Sequence, residues 1–208
     1  MNVQPLLPDV WCWRWHSPDR RLYFNGYAVR LPEGLFLIDP AYSSDDDWSA
    51  LDALGFPAGI LLTNRDHERA SDELRRRRGA PVWAHSAEGL LLRAPPDRVF
   101  ADGDTLGGAL KVIRFTRLKS PGECALLWPE RRILFVGDLL TGHPPTSIGL
   151  VDEHQGKPEV IGEIRRLLDF DFDALLMGDG DPMIHGGRLA VEIWLNNYAG
   201  NDFDHQTR

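Results

Sequence analysis

Cysteine is scarce in this chain, and its scarcity excludes two common architectures. Cys12 and Cys124 are the only two among 208 residues, and they stand far apart. A disulfide-stapled scaffold needs more bridges than one pair can give, and a zinc site needs closer ligand spacing, so both read as free buried thiols in a reducing compartment. Positive charge is short as well: the net charge of −8 argues against a general binder of nucleic acid or anionic membranes. The one basic run, Arg75 to Arg78, reads as a solvated helix end. No apolar stretch approaches the length needed to cross a bilayer. The opening MNVQPLLPDVWCWRW lacks a basic segment followed by an apolar run, so it does not read as a signal peptide. Cytoplasmic localisation is the expectation from these absences. Short-period repeats and low-complexity linkers are missing too.

A hydrophobic content of 43% over 208 residues suffices for a sizeable core. The simplest organisation is one domain over residues 1–200 and a polar, frayed tail over 201–208. The most telling pattern is a recurrence: three apolar runs each end in an acidic turn. They are GILLTNRDHE (Gly59 to Glu68), RILFVGDLL (Arg132 to Leu140) and ALLMGDGDP (Ala174 to Pro182). Such runs suit strands covered on both faces. Strand ends commonly converge on a ligand cleft in α/β folds, which would bring Asp66, His67, Asp138 and Asp179 together. Carboxylates with an imidazole are ligands for a divalent metal.

Around these runs the pattern alternates. Trp11, Trp13 and Trp15 share one face of a strand and read as core, with an interface or apolar substrate wall as the sharper alternative. RLYFNGYAVRL and GLFLID follow as strands around a turn at Pro32 to Gly34. DDDWSALDAL, HERASDELRRRR, PEVIGEIRRLLDF and GRLAVEIWLNNYAG carry helical spacing, the last ending near Gly200. CALLWPERRILFVGD reads as a hairpin turning at Pro129 to Arg131. Strands first, then strand–helix alternation, suits an α/β fold with a four-layer αββα arrangement.

In this order the landmarks resemble the metallo-β-lactamase superfamily over nearly the whole chain. NGYAVRLPEGLFLIDP looks like that family's opening hairpin with its Asp, here Asp39. ILLTNRDHERA stands where the family carries T-H-x-H-x-D-H, LKSPGECALLWPERRILFVGDLL where it carries G-H-T-P-G-S and a hairpin ending in G-D, and LLMGDGDP where it carries a G-H-G loop. The resemblance implies the αββα sandwich of that superfamily. It also implies two metal sites, but most of the histidines are gone. Asn64 stands for the first, Lys119 for the third and Asp179 for the last, while Asp138 remains as the would-be bridge. The first motif admits two registers. With a gap, Asp66 and His67 open the helix as metal ligands. Without one, Asp66 takes the second His position and Arg69 the last. Asp66 also suits a helix N-terminus, whose free N–H groups it would cap.

In the gapped register, three carboxylates against Lys119 leave two net negative charges, which one divalent ion would neutralise. The expectation is at most one metal, Zn, Mn or Fe, held by Asp66, His67, Asp138 and Asp179. Lys119 then stands in for the other ion and stabilises developing oxyanion charge, while Asp66 orients the attacking water. Asn64, Lys119 and His143 would contact substrate. A metal-free ionic cluster is the competing account. The resemblance implies an atypical hydrolase of a small ester, thioester or lactone; the alternative is a non-catalytic small-anion binding protein. A homo-oligomer is possible on either reading. His16, His85, His154 and His205 have no supporting partners in the sequence, and His185 is a candidate to approach the cleft.

Overall fold

The computed structural model describes residues 3–143 and 147–205, with side chains through 198. Two sheets form its middle. The first runs in chain order: β1 (Gln4–Leu7), β2 (Val10–Ser17), β3 (Leu22–Leu31), β4 (Gly34–Ile38), β5 (Pro57–Leu61), β6 (Val82–His85) and β7 (Arg98–Phe100). Strands β1 to β4 are antiparallel neighbours, and β4 to β7 are parallel. The second sheet joins β8 (Thr105–Leu106), β9 (Leu110–Arg114), β10 (Cys124–Trp128), β11 (Ile133–Val136) and β14 (Ala174–Met177). Its order is β14-β11-β10-β9-β8, with β14 parallel to β11. A small hairpin, β12 (Thr141–His143) with β13 (Ser147–Gly149), stands beside it.

Strand periodicity explains why the sheets stack. In β4, Phe36 and Ile38 join the same apolar cluster as Leu126, Trp128, Ile133, Phe135 and Leu176 of the second sheet. Their chain neighbours Leu35 and Leu37 turn the other way, into a cluster with Trp48, Leu51 and Leu74. Likewise Leu134, Val136, Leu175 and Met177 face Val160, Ile164, Val191 and Leu195. Both faces of each sheet are thus apolar, which is why the runs are continuous rather than alternating. The outer layers are α1 (Asp45–Leu54) and α2 (Ser71–Arg78) on one side, α3 (Pro158–Arg166) and α4 (Gly187–His205) on the other. Helix α1 starts on a capping box in which Ser44 and Asp47 bond each other's backbone N–H. The result is the αββα sandwich expected. Trp13 is fully buried beneath α1, donating from its indole to the Ala41 carbonyl at 3.1 Å, and Trp11 and Trp15 pack against the same cluster.

Two expectations need correction. The helix read from His67 onward is broken: a 3₁₀ turn, Arg65–Glu68, precedes α2, and Arg69 between them has φ +33°. Helix α4 continues past Gly200 to His205, so the frayed tail read at 201–208 is helical in its first part; residues 206–208 lie outside the described residues. No helix among the described residues is long and apolar enough to cross a membrane.

Candidate active site

The ends of β4, β5, β11 and β14 meet at one edge of the sandwich. Strand β5 runs out into Thr63 and Asn64, β11 into Gly137 and Asp138, and β14 into Gly178 and Asp179. No side chain fits at Gly137 or Gly178: a Cβ at Gly137 would lie 2.4 Å from Thr63 Oγ1, and one at Gly178 2.4 Å from the His67 ring. Glycine at both positions is what lets the acidic turns close on each other. Beyond them opens a cleft of about 610 Å³, floored by Asp66, His67, Lys119, Asp138 and Asp179 and walled by residues that include Tyr42, Arg93 and His143.

His67 is the hub. Its Nδ1 lies 2.8 Å from Asp39 Oδ2, and its Nε2 lies 3.3 Å from Asp138 Oδ1. Asp39 is itself fixed by Thr63, whose backbone N–H and hydroxyl donate at 2.8 and 2.6 Å. Burial and the nearby Arg69 favour the neutral imidazole, but the two flanking carboxylates outweigh them and carry His67 up to about 10. Near neutral pH it is an imidazolium. Burial works against the Asp138 carboxylate, yet His67 and Lys119 hold it well below the usual range. Lys119 Nζ sits between Asp138 Oδ2 at 2.7 Å and Asp66 Oδ2 at 3.0 Å, and these two raise it despite its partial burial.

Not every expected residue reaches the cleft in its expected role. Asn64 is buried rather than facing substrate. Its Oδ1 accepts from the backbone N–H groups of Asp66 and His67 at 2.9 and 3.2 Å, and its Nδ2 donates to Glu123 Oε1 at 3.2 Å. It is an N-cap for the 3₁₀ turn. His67, Asp138 and Asp179 bring ligand-type atoms within 4.8 Å of one another, but Asp66 stands outside that group, turned to Lys119. Its side chain is 48% exposed, against 4% for Asp138 and 12% for Asp179. His143 lines the cleft and lies 3.0 Å from Thr141 Oγ1. His185 is exposed and pairs with Asp173 away from this edge.

Four residues were missed or set aside. Arg69, buried, bonds Asp179 and donates to the carbonyls of Asn25 and Gly178 at 3.2 Å each. Glu123, fully buried, accepts from the Asp138 N–H at 2.9 Å; burial first and the Asp138 charge second push it well above the usual carboxylate range, which favours its neutral form. His154, read as incidental, is fully buried and accepts the Lys119 backbone N–H at 3.2 Å. Asp39 was legible only as a landmark. Arg69 entered the sequence reading only in the register without a gap, at the last position of the motif; the structure pairs Asp66 with Lys119 and Arg69 with Asp179.

The profile described as the metallo-beta-lactamase superfamily matches residues 5–196. The chain belongs to the metallo-beta-lactamase superfamily. Solved structures agree on the fold. The DIM-1 metallo-beta-lactamase superposes with a TM-score of 0.75 at 14% identity, covering 94% of this chain and 97% of that one. A metallo-beta-lactamase from Pontibacter korlensis gives 0.71 at 18% identity, with 94% and 98% covered. A variant of the flavo di-iron protein from Thermotoga maritima gives 0.74 at 15% identity, covering 93% of this chain and 60% of that one. No curated protein sequence matches significantly.

For a metallo-beta-lactamase relative, the donor set is compromised. His67, Asp138 and Asp179 converge as metal ligands would. Yet each faces a group that competes with an ion: both His67 ring nitrogens are turned to carboxylates, which favour a proton there, Asp138 holds Lys119, and Asp179 holds Arg69. A ligating imidazole must be neutral, and a guanidinium does not give up its proton. As arranged, these residues do not fit a divalent ion.

Proposed function

We propose that this protein is an atypical hydrolase of the superfamily, acting on a small ester, thioester or lactone, with Lys119 as the group that meets the substrate oxygen. The observation that carries the reading is the Lys119 ammonium, held between Asp66 and Asp138 at the floor of an open cleft. An ammonium fixed by two carboxylates is pre-oriented, so it can stabilise charge developing on a carbonyl oxygen without rearranging. Asp66 is the carboxylate of this cluster most open to solvent, and it is the group placed to take a proton from an attacking water. Asp138, buried and ionised, keeps Lys119 and His67 in place. His143 on the cleft wall contacts the substrate. No step is routed through a metal ion.

A second reading has its own support. Because the charges of the cluster are already paired within the protein, the cleft would also serve a binder of small anions that carries out no chemistry. Turnover separates the two. A panel of esters, thioesters and lactones should include a substrate hydrolysed at least about 100-fold faster than by Lys119→Ala, the usual scale for one oxyanion donor. Identical background rates for the parent protein, Lys119→Ala and Asp138→Ala on every substrate would leave the binder.

A further inference from the structure

The carboxylates on the cleft floor are already matched by cations that the chain itself supplies. Lys119 Nζ lies 2.7 Å from Asp138 and 3.0 Å from Asp66. The Arg69 guanidinium bonds Asp179, lies 4.3 Å from the Phe24 ring centroid, and donates to two main-chain carbonyls. Arg69 is buried, and its flexible stem is held in one direction by the Asp179 pair, the two carbonyls and the Phe24 ring. Three carboxylates against these two cations leave one net negative charge, too little to draw a divalent ion into a buried group where ligands must first be freed. The geometry is also shared out. Lys119 and Arg69 lie on different carboxylates, one on Asp138 and one on Asp179, so an ion binding where these converge with His67 competes with a resident cation at each.

We propose that Lys119 and Arg69 are resident cations that take both metal positions of this fold, and that the protein works without a bound metal ion. For what the cations act on, the inference rests on the hydrolase reading; for their occupancy of the site it does not. Arg69 borders the cleft but is spent on Asp179 and two main-chain carbonyls, which makes it a positioning residue: it keeps Asp179 and the β14 turn closed against β3.

The test is metal stoichiometry on the full chain, purified without a metal-affinity tag and dialysed in turn against Zn(II), Mn(II) and anaerobic Fe(II). Elemental mass spectrometry should find below about 0.1 equivalent in the parent protein, and its Tm should be the same with and without EDTA. Arg69→Leu, which strips the guanidinium from Asp179, should take up about one equivalent. Should Arg69→Leu fail to fold, Lys119→His carries the same test, since it sets an imidazole between Asp66 and Asp138 with Arg69 intact. About one equivalent in the parent protein, lost with a falling Tm on EDTA treatment, would overturn the proposal. So would a lack of uptake in the parent protein and in every variant that folds. Absence of turnover in a metal-free parent protein would remove the hydrolase reading and leave this inference standing.

Discussion

His67 lies between Asp39 and Asp138 with both ring nitrogens engaged, so folding must bind a proton wherever the free imidazole would be neutral. That window runs from about 6.5, the value for a free histidine, to about 10 in the fold. A raised value means the contribution is complete below the lower limit and is lost as pH rises through the upper one. Stability to urea should therefore fall by about 1.4 kcal/mol per pH unit across the window, relative to His67→Asn, whose slope lacks this proton. Parallel pH profiles for the two proteins would show that His67 is neutral in the fold. Glu123 gives a contrasting expectation. In the neutral form that its burial favours, it resembles glutamine in charge and shape, and Gln can accept from Asn64 and the Asp138 N–H as Glu123 does. Glu123→Gln should cost less than about 1 kcal/mol in urea unfolding, whereas Glu123→Ala, which orphans two donors, should cost about 2–4. None of this was legible from single residues. Asp138 and His67 carry an obvious chemistry, but a buried acid and a capping asparagine acquire their roles only from what the fold sets against them.

Elements were easier to read than residues, and the reason is physical. A strand buried on both faces, such as β5, β11 or β14, must be a short unbroken apolar run, and turn residues at its end cannot be hidden in the core. The segment after β5 misled because its structure is set by tertiary contacts. Asn64 closes the first backbone N–H groups of a 3₁₀ turn, and Arg69 then adopts a positive φ that no local helical pattern foretells. Helix α1 is the opposite case: its start is set locally, by the Ser44–Asp47 capping box, and Ser44→Ala should lower stability by about 1 kcal/mol. The tightest element contact lies where the β12 hairpin crosses the Asp179 turn. Gly180 has φ +82°, and a Cβ there would stand 1.9 Å from the Gly142 carbonyl oxygen. Gly180→Ala therefore meets both a backbone clash and an unfavourable conformation. The expected loss is at least about 2–3 kcal/mol by urea denaturation. A near-neutral substitution would mean that the turn can move away from the hairpin.

At the scale of the molecule, the order of landmarks was legible while the closure between sheets was not, because closure depends on a few polar side chains that look unremarkable in sequence. On β3, Tyr27 donates its hydroxyl to the Met177 carbonyl at 2.6 Å, and Asn25 Nδ2 donates to the carbonyls of Met177 and Gly180 at 2.8 Å each. These bonds tie the first sheet to the end of β14 in the second, directly beside Asp179. Their unequal connectivity predicts unequal effects. Tyr27→Phe removes one donor from a carbonyl that Asn25 still satisfies, so the cost should be about 1 kcal/mol. Asn25→Ala deprives the Gly180 carbonyl of this partner, removes the acceptor of Arg14 at 3.1 Å, and opens a buried space, so about 3 kcal/mol or more is expected. The difference should also be local. Gly180 N–H, which bonds Tyr23 at 2.7 Å, should exchange with solvent faster in Asn25→Ala than the loss of global stability alone explains, and should not in Tyr27→Phe. Matched exchange in both variants would mean that the main-chain bonds to β3 and the Arg69 contacts hold the Asp179 turn, with the Asn25 and Tyr27 side-chain bridge redundant.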